Sequence, residues 1–373
     1  MAQPRWIVPL LDLRREHAAI AGEIKNGWDT VLGSMQLLNG ENVSAFEQEI
    51  AGYLGAEHAI GVASGSDALV LALRSAGIGP GDEVIVHANS FVAALEAVCH
   101  TGARPVLVDC AAENEGPDLQ GVEAAISSRT RAVIAVHLYG SPLPLSGLAA
   151  LCADSGIELI EDASHAHGAA RHGRKVGTFG RAGCFSAGVV KNLGAYGDAG
   201  FIVTGDAELA GRVRLLQSHG QRSKNEHLDY GYNSRLDELQ AVVLRVRLRR
   251  LEARNARRRA IAAHYRERFA GLDLHVPREQ DSEAHVYHQF VVRSPRRDAL
   301  RAALKEAGIE TGIHYPVPLH RQPAWLRRYR EAPALPRCEQ RAREILSLPV
   351  FPDLTDGEIE YVVDRVVAFH RAA

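Results

Sequence analysis

From about residue 57 the chain alternates short, β-branched apolar runs with longer amphipathic stretches. HAIGVAS (58–64), DEVIVHA (82–88), PVLVD (105–109), RAVIAVHL (131–138), IELIED (157–162) and GFIVTG (200–205) read as strands. SDALVLALRSAG (66–77), FVAALEAVCHTG (91–102), LSGLAALCADSG (145–156) and AELAGRVRLLQSHG (207–220) read as helices that close on glycine, as helix C-termini commonly do. Strand and helix in alternation predict an α/β fold: a mostly parallel sheet with helices on both faces. Ligands of such sheets sit at the carboxyl ends of the strands. SGSDAL (64–69) and Asp162 fall at such ends, and Lys191 does so only if its turn follows a strand.

An arginine-loaded helical stretch is expected from about Leu236 to Phe269, and the pattern then changes. LDLHVP (272–277), VYHQFVVRS (286–294), the helix RDALRAALKEAG (297–308), GIHYPVP (312–318) and a helix after Thr355 describe a smaller α+β domain. The expected division is a large domain over 1–250, including the N-terminal segment, and a small C-terminal domain over 251–373.

The 373 residues suffice for two domains with cores of their own, and a formal net charge of −2 gives no reason to expect nucleic acid or membrane partners. Eight arginines between Arg245 and Arg259 are interleaved with leucine and valine, which favours a helix with one packed face and a solvated arginine face. Cys99, Cys110, Cys152, Cys184 and Cys338 lack Cys-x-x-Cys spacing, so they read as free thiols of a reducing cytoplasm. The short apolar run near the amino terminus is broken by Asp12 and reads as neither a signal peptide nor a membrane span.

The candidate chemistry centres on Lys191, in CFSAGVVKNLGAYGDAG (184–200), an ammonium among small and apolar residues. A lysine placed this way has a depressed pKa and serves as an amine nucleophile. Asp162 ends an apolar strand upstream. Such a pair suits pyridoxal phosphate: the lysine forms a Schiff base, and the carboxylate keeps the pyridine nitrogen protonated. Each residue alone has an ordinary alternative, an ion pair for Lys191 and a helix cap for Asp162. Ser64, Gly65, Ser66 and Asp67 open a helix N-terminus, either as a phosphate cradle or as a capped helix start. Ser186 is a second candidate phosphate donor. Phe91 is a ring that stacks on a flat cofactor or is simply core. His165 is placed to reach the cofactor; a metal shared by His165 and His167 is disfavoured because no further ligand completes it. Asn233 precedes a helix and is otherwise only a cap.

These pieces, in order, resemble the DegT/StrS family of nucleotide-sugar aminotransferases. The resemblance runs nearly end to end, through YLGAEHAIGVASGSDALVLAL (53–73), GIGPGDEVIVHANSFVAA (77–94), VHLYG (136–140), EDASHAHGA (161–169), KNLGAYGDAG (191–200), YGYNSRLDELQA (230–241) and GIHYPVPLHRQPAW (312–325). It implies the type I pyridoxal phosphate-dependent transferase fold, with a large, mostly parallel seven-stranded sheet domain. Lys191 then corresponds to the Schiff-base lysine and Asp162 to the partner of the pyridine nitrogen. Phe91 corresponds to the stacking aromatic, with His165 near the phenolic oxygen. Gly65, Ser66, the Asp67 backbone and Ser186 correspond to the phosphate site. Asn233 corresponds to a residue given by the neighbouring subunit, which implies a homodimer with shared sites. His314 and Tyr315 are the candidate substrate-side groups.

Three positions depart from the family pattern: Gly188–Val190 replace an aromatic-Pro pair, His165 replaces glutamine, and the early loop reads GSMQLLNG (33–40). The implied reaction takes an amino group from L-glutamate or L-glutamine and passes it to a nucleoside-diphosphate keto-sugar, with a 3-keto sugar favoured over a 4-keto sugar. Two alternatives are a pyridoxal-dependent sugar dehydratase, against which Lys191 argues because such members carry histidine there, and a non-catalytic regulatory homologue.

Overall fold

The computed structural model describes residues 6–279 and 282–372. Seven strands form the main sheet: β1 (His58–Val62), β2 (Glu83–His87), β3 (Arg104–Val108), β4 (Thr130–Val136), β5 (Glu158–Asp162), β6 (Ala182–Ser186) and β7 (Gly200–Thr204). Their spatial order is β1-β7-β6-β5-β4-β2-β3, and only β7 runs antiparallel to its neighbours. β6 was not among the expected strands, and it meets the condition set for Lys191: the turn carrying the lysine leaves the carboxyl end of a strand.

Side chains of period two face opposite sides of the sheet, and both sides are covered. Val84, Val86, Ile134 and Ile160 pack with helices α3 (Gly65–Ser75) and α4 (Val92–Thr101). Ile85, Val133 and Leu159 pack on the other side with α5 (Ser146–Ser155). Two N-terminal helices, α1 (Leu13–Ser34) and α2 (Glu41–Leu54), were not anticipated; α2 adds Phe46 and Ile50 to a core shared with Phe185 and Phe201.

The expected helix over 236–269 is interrupted at Arg249–Arg250, giving α6 (Glu238–Leu248) and α7 (Leu251–Arg268). Its arginines are not a simple solvated face. Arg247 is buried against Glu16 of α1 at 2.6 Å, Arg254 reaches Glu16 at 3.2 Å, and Arg258 is buried as well. A partner carboxylate from a helix more than 200 residues away cannot be read from local charge pattern.

Ile261, Tyr265 and Phe269 lie in a further core with Phe290, Val292, Leu346, Val363 and, from the far N-terminus, Val8. There β8 (Phe290–Arg293) pairs antiparallel with β9 (Ile345–Leu348), backed by α8 (Arg297–Glu306) and α9 (Asp356–Arg371). Thr355 caps the last helix reciprocally with Glu358. Residues 272–277 form no strand; His275 makes only an isolated bridge to Arg293.

Candidate active site

The carboxyl ends of β1, β2, β4, β5 and β6 deliver the candidate residues to one edge of the sheet. β1 runs into Ser64, whose hydroxyl accepts the Asp67 N–H at 3.1 Å and starts α3. Glycine is required next. A Cβ on Gly65 would stand 2.5 Å from the Ser186 Cβ, and one on Gly200 would stand 2.4 Å from the Ser64 carbonyl. The N-terminus of α3 is thereby held directly over the end of β6, with its partial positive charge turned to the site. The Asp67 carboxylate accepts from Ser234 at 2.7 Å.

Glu161 and Asp162 are neighbours on β5, so their side chains take opposite faces. Glu161 is fully buried and accepts from His137 Nε2 at 2.9 Å and from the Gly177 and Gly180 N–H groups at 2.7 Å each. Asp162 faces the site side, where its Oδ1 accepts the Ser164 N–H at 3.1 Å. Ser164 Oγ in turn accepts the Ser186 N–H at 3.2 Å, tying β5 to β6.

Lys191 follows in the turn after β6, its own N–H closing on the Gly188 carbonyl at 2.9 Å. No carboxylate of the described residues forms an ion pair with its ammonium. Burial pushes its pKa down to about 8, partly opposed by the charge of Asp162. A buried amine without an ionic partner is what a covalently attached carbonyl cofactor requires.

His165 Nδ1 takes the Tyr139 N–H at 3.3 Å, and its ring lies 4.5 Å from that of His288. Burial, then the charges of Lys191, His314 and His167, hold His165 neutral, its pKa well below the usual histidine value. His167 instead packs between Phe185 and Phe201, so the two histidines do not share a ligand site. The group of potential metal ligands found among the described residues is Asp109, Cys110 and Cys338, whose carboxylate already takes three backbone N–H groups.

Phe91 caps α4 at the rim, half-exposed, with Tyr315 at 5.3 Å. His314 Nδ1 meets Ser347 Oγ at 2.8 Å; its pKa falls to about 4 through burial, then through the charge of Lys191. Burial, then the charge of Asp162, raises the Tyr315 phenol. Asn233 is exposed, whereas the adjacent Ser234 turns inward to Asp67.

Tyr139 and His288 were not singled out from the sequence. Tyr139 sits at φ +61°, strained for a bulky residue, and its hydroxyl donates to the His314 carbonyl. It links His165, His314 and, through its own carbonyl, the Gln289 N–H. Its place just beyond β4 was the available signal. His288 had none: Asn192, next to Lys191, holds its Nδ1 at 3.1 Å across 96 residues of sequence.

Comparison with known proteins places nearly the whole chain in one family. A pleiotropic regulatory protein of Geobacillus stearothermophilus is 42% identical over 98% of this chain and 99% of its own. The dTDP-3-amino-3,4,6-trideoxy-alpha-D-glucose transaminase of Streptomyces venezuelae is 45% identical over 96% of this chain and 95% of its own. The crystal structure of S. venezuelae DesV in complex with a ketimine intermediate superposes with a TM-score of 0.94, at 44% identity and 99% coverage of both chains. The DegT/DnrJ/EryC1/StrS aminotransferase family model matches residues 18–367, and the chain belongs to that family.

Proposed function

We propose that the protein is a pyridoxal phosphate-dependent aminotransferase that converts a nucleoside-diphosphate 3-keto sugar to the 3-amino sugar, with L-glutamate or L-glutamine as donor. The observation that carries the reading is Lys191: a half-buried lysine whose amine has a pKa near 8 and no ionic partner among the described residues, within the electrostatic reach of Asp162 and His165 in the fold of this family.

The residues fit the cofactor. Without a Cβ, Gly65 lets the α3 N-terminus close onto the end of β6, and Ser66, Asp67 and Ser186 are thereby gathered at the helix N-terminus, where a phosphate is favoured. When bound, pyridoxal phosphate supplies a carbonyl carbon and an electron-withdrawing ring. Lys191 attaches it and, once released, moves a proton between substrate and cofactor as base and acid. Asp162 is positioned to hold the ring nitrogen protonated. Neutral His165, whose Nδ1 accepts the Tyr139 N–H, carries its proton on Nε2 and donates from there beside the ring without adding charge. Phe91 covers the ring, and His314 and Tyr315 face the sugar. Asn233 reaches the phosphate of a second subunit, giving a homodimer with shared sites, and its outward orientation supports this. The second core beginning in α7 supports a domain division near residue 250. No described helix is long and apolar enough to cross a membrane, and a cytoplasmic location follows the biosynthetic reading.

The preference for position 3 is supported by the S. venezuelae transaminase, whose name specifies a 3-amino sugar. The regulatory name of the G. stearothermophilus relative favours a non-catalytic reading; Lys191, Asp162 and Ser186 together argue against it. The test is the visible spectrum of the cofactor-loaded protein before and after L-glutamate. A band that bleaches, followed by recovery on adding a 3-keto nucleotide sugar, supports the proposal. A band indifferent to L-glutamate and L-glutamine sinks it.

A further inference from the structure

A cavity of ≈ 570 Å³ lies between the N-terminal segment, Leu10–Arg14, and the second core. Val190, the residue before Lys191, lines it, as do His288 and His314, and so does Arg258. Arg258 is only 6% exposed. Its Nη1 donates to the carbonyls of Tyr287 at 3.0 Å and Val350 at 3.3 Å. Among the described residues no carboxylate pairs with it. The nearby acids are spent elsewhere, Glu16 on Arg247 and Arg254, and Asp353 on Arg254. Burial and then the charge of Arg254 make this cation costly.

Two carboxylates also line the cavity. Asp12 is held by Arg14 and Arg15, and Glu310 accepts the Leu10 N–H at 2.9 Å. Gln289 reaches the same cavity, and its buried Oε1 has no hydrogen-bond partner. A guanidinium that lacks an ionic partner and faces a cavity lined by Val190, the residue before Lys191, matches a planar carboxylate. Burial, then the charges of His165, Lys191 and Arg258, hold the pKa of His288 well below the usual histidine value.

We propose that this cavity receives the carboxylate end of the amino donor, with Arg258 as its anion partner. The proposal rests on the aminotransfer reading above and specifies where the donor, as distinct from the sugar nucleotide, is recognised. The keto acid left after amino transfer occupies the same place before it departs.

The test is calorimetric titration of the cofactor-loaded protein with glutarate, a dicarboxylate of glutamate's length without the amine. UDP is titrated in parallel. Arg258→Lys keeps the charge but loses the two-pronged geometry. Val190→Trp fills the cavity from a half-exposed position without touching Arg258, so it guards against a variant that merely misfolds. The natural protein is expected to bind glutarate, both variants at least tenfold more weakly, and UDP equally well throughout. Failure of the natural protein to bind glutarate overturns the proposal, as does undiminished binding by the two variants. An equal loss of UDP binding also overturns it and assigns the cavity to the nucleotide. Glutarate binding through Arg258 in a protein whose cofactor band ignores L-glutamate and L-glutamine would overturn the donor assignment together with the aminotransferase reading, and would leave the cavity a site for some other carboxylate.

Discussion

Gly65 and Ser186 approach so closely that a Cβ on Gly65 would stand 2.5 Å from that of Ser186. One residue starts α3 and the other ends β6, so their contact fixes the helix N-terminus against the strand that leads to Lys191. Gly65→Ala must push the two apart, at about 1–3 kcal/mol of overpacking. Cofactor affinity is expected to fall roughly tenfold or more, by that order of distortion. Absorbance titration of the apo-protein measures this, and unchanged affinity would remove the cradle from the phosphate site.

The adjacent carboxylates of β5 are expected to separate a structural role, for Glu161, from a chemical one, for Asp162. Glu161→Gln disturbs a buried group holding His137, Gly177 and Gly180. It should lower unfolding free energy by about 2–4 kcal/mol. Asp162→Asn should leave stability nearly unchanged and slow amino transfer by orders of magnitude. Urea unfolding and single-turnover kinetics on both variants decide; near-natural turnover in the Asp162 variant means that this residue is structural.

The proposed attachment of the cofactor to Lys191 needs the neutral amine. With a pKa near 8 in place of 10.5, the reactive fraction at pH 7 is about a tenth, against well under a thousandth for an ordinary lysine. The rate of cofactor uptake by apo-protein is therefore expected to climb through about pH 8 and level off above it. A rate still climbing at pH 10 would refute the depressed pKa. Lys191→Ala should lose borohydride-fixable cofactor altogether.

Buried histidines should make the fold acid-sensitive. His87, His167 and His285 have pKa values pushed down to about 3 by burial. Folded, they stay neutral while the unfolded chain takes up protons below about pH 6.5, so the unfolded state binds more protons in that window. Stability is then fully present above pH 6.5 and falls as pH drops towards 3, by about 1.4 kcal/mol per pH unit for each histidine. Urea midpoints that stay flat between pH 6.5 and 4.5 would contradict this.

If Asn233 serves a neighbouring subunit, a mixture of Asn233→Ala and Lys191→Ala chains should regain activity, because some sites then hold both residues intact. Mass spectrometry establishes subunit exchange. Exchange without recovery would mean that each site is built within one chain.

The periodicity of the chain determined the α/β alternation, six of the seven strands to within two residues at either end, and the carboxyl edge on which Ser66 and Asp162 both fall. These are local facts: side chains alternate every two or 3.6 residues, and glycines mark the helix ends. Motif order pointed to the cofactor chemistry and singled out Lys191 as the candidate lysine. The tertiary structure decided what depends on residues far apart in sequence. It turned Glu161 into the packed interior and Asp162 towards the candidate site. It brought Tyr139 and His288 beside His165, and it paired Glu16 with Arg247 while leaving Arg258 without a carboxylate. Charge balance in a buried site is settled by which helices meet, and the linear pattern of charges carries no record of that.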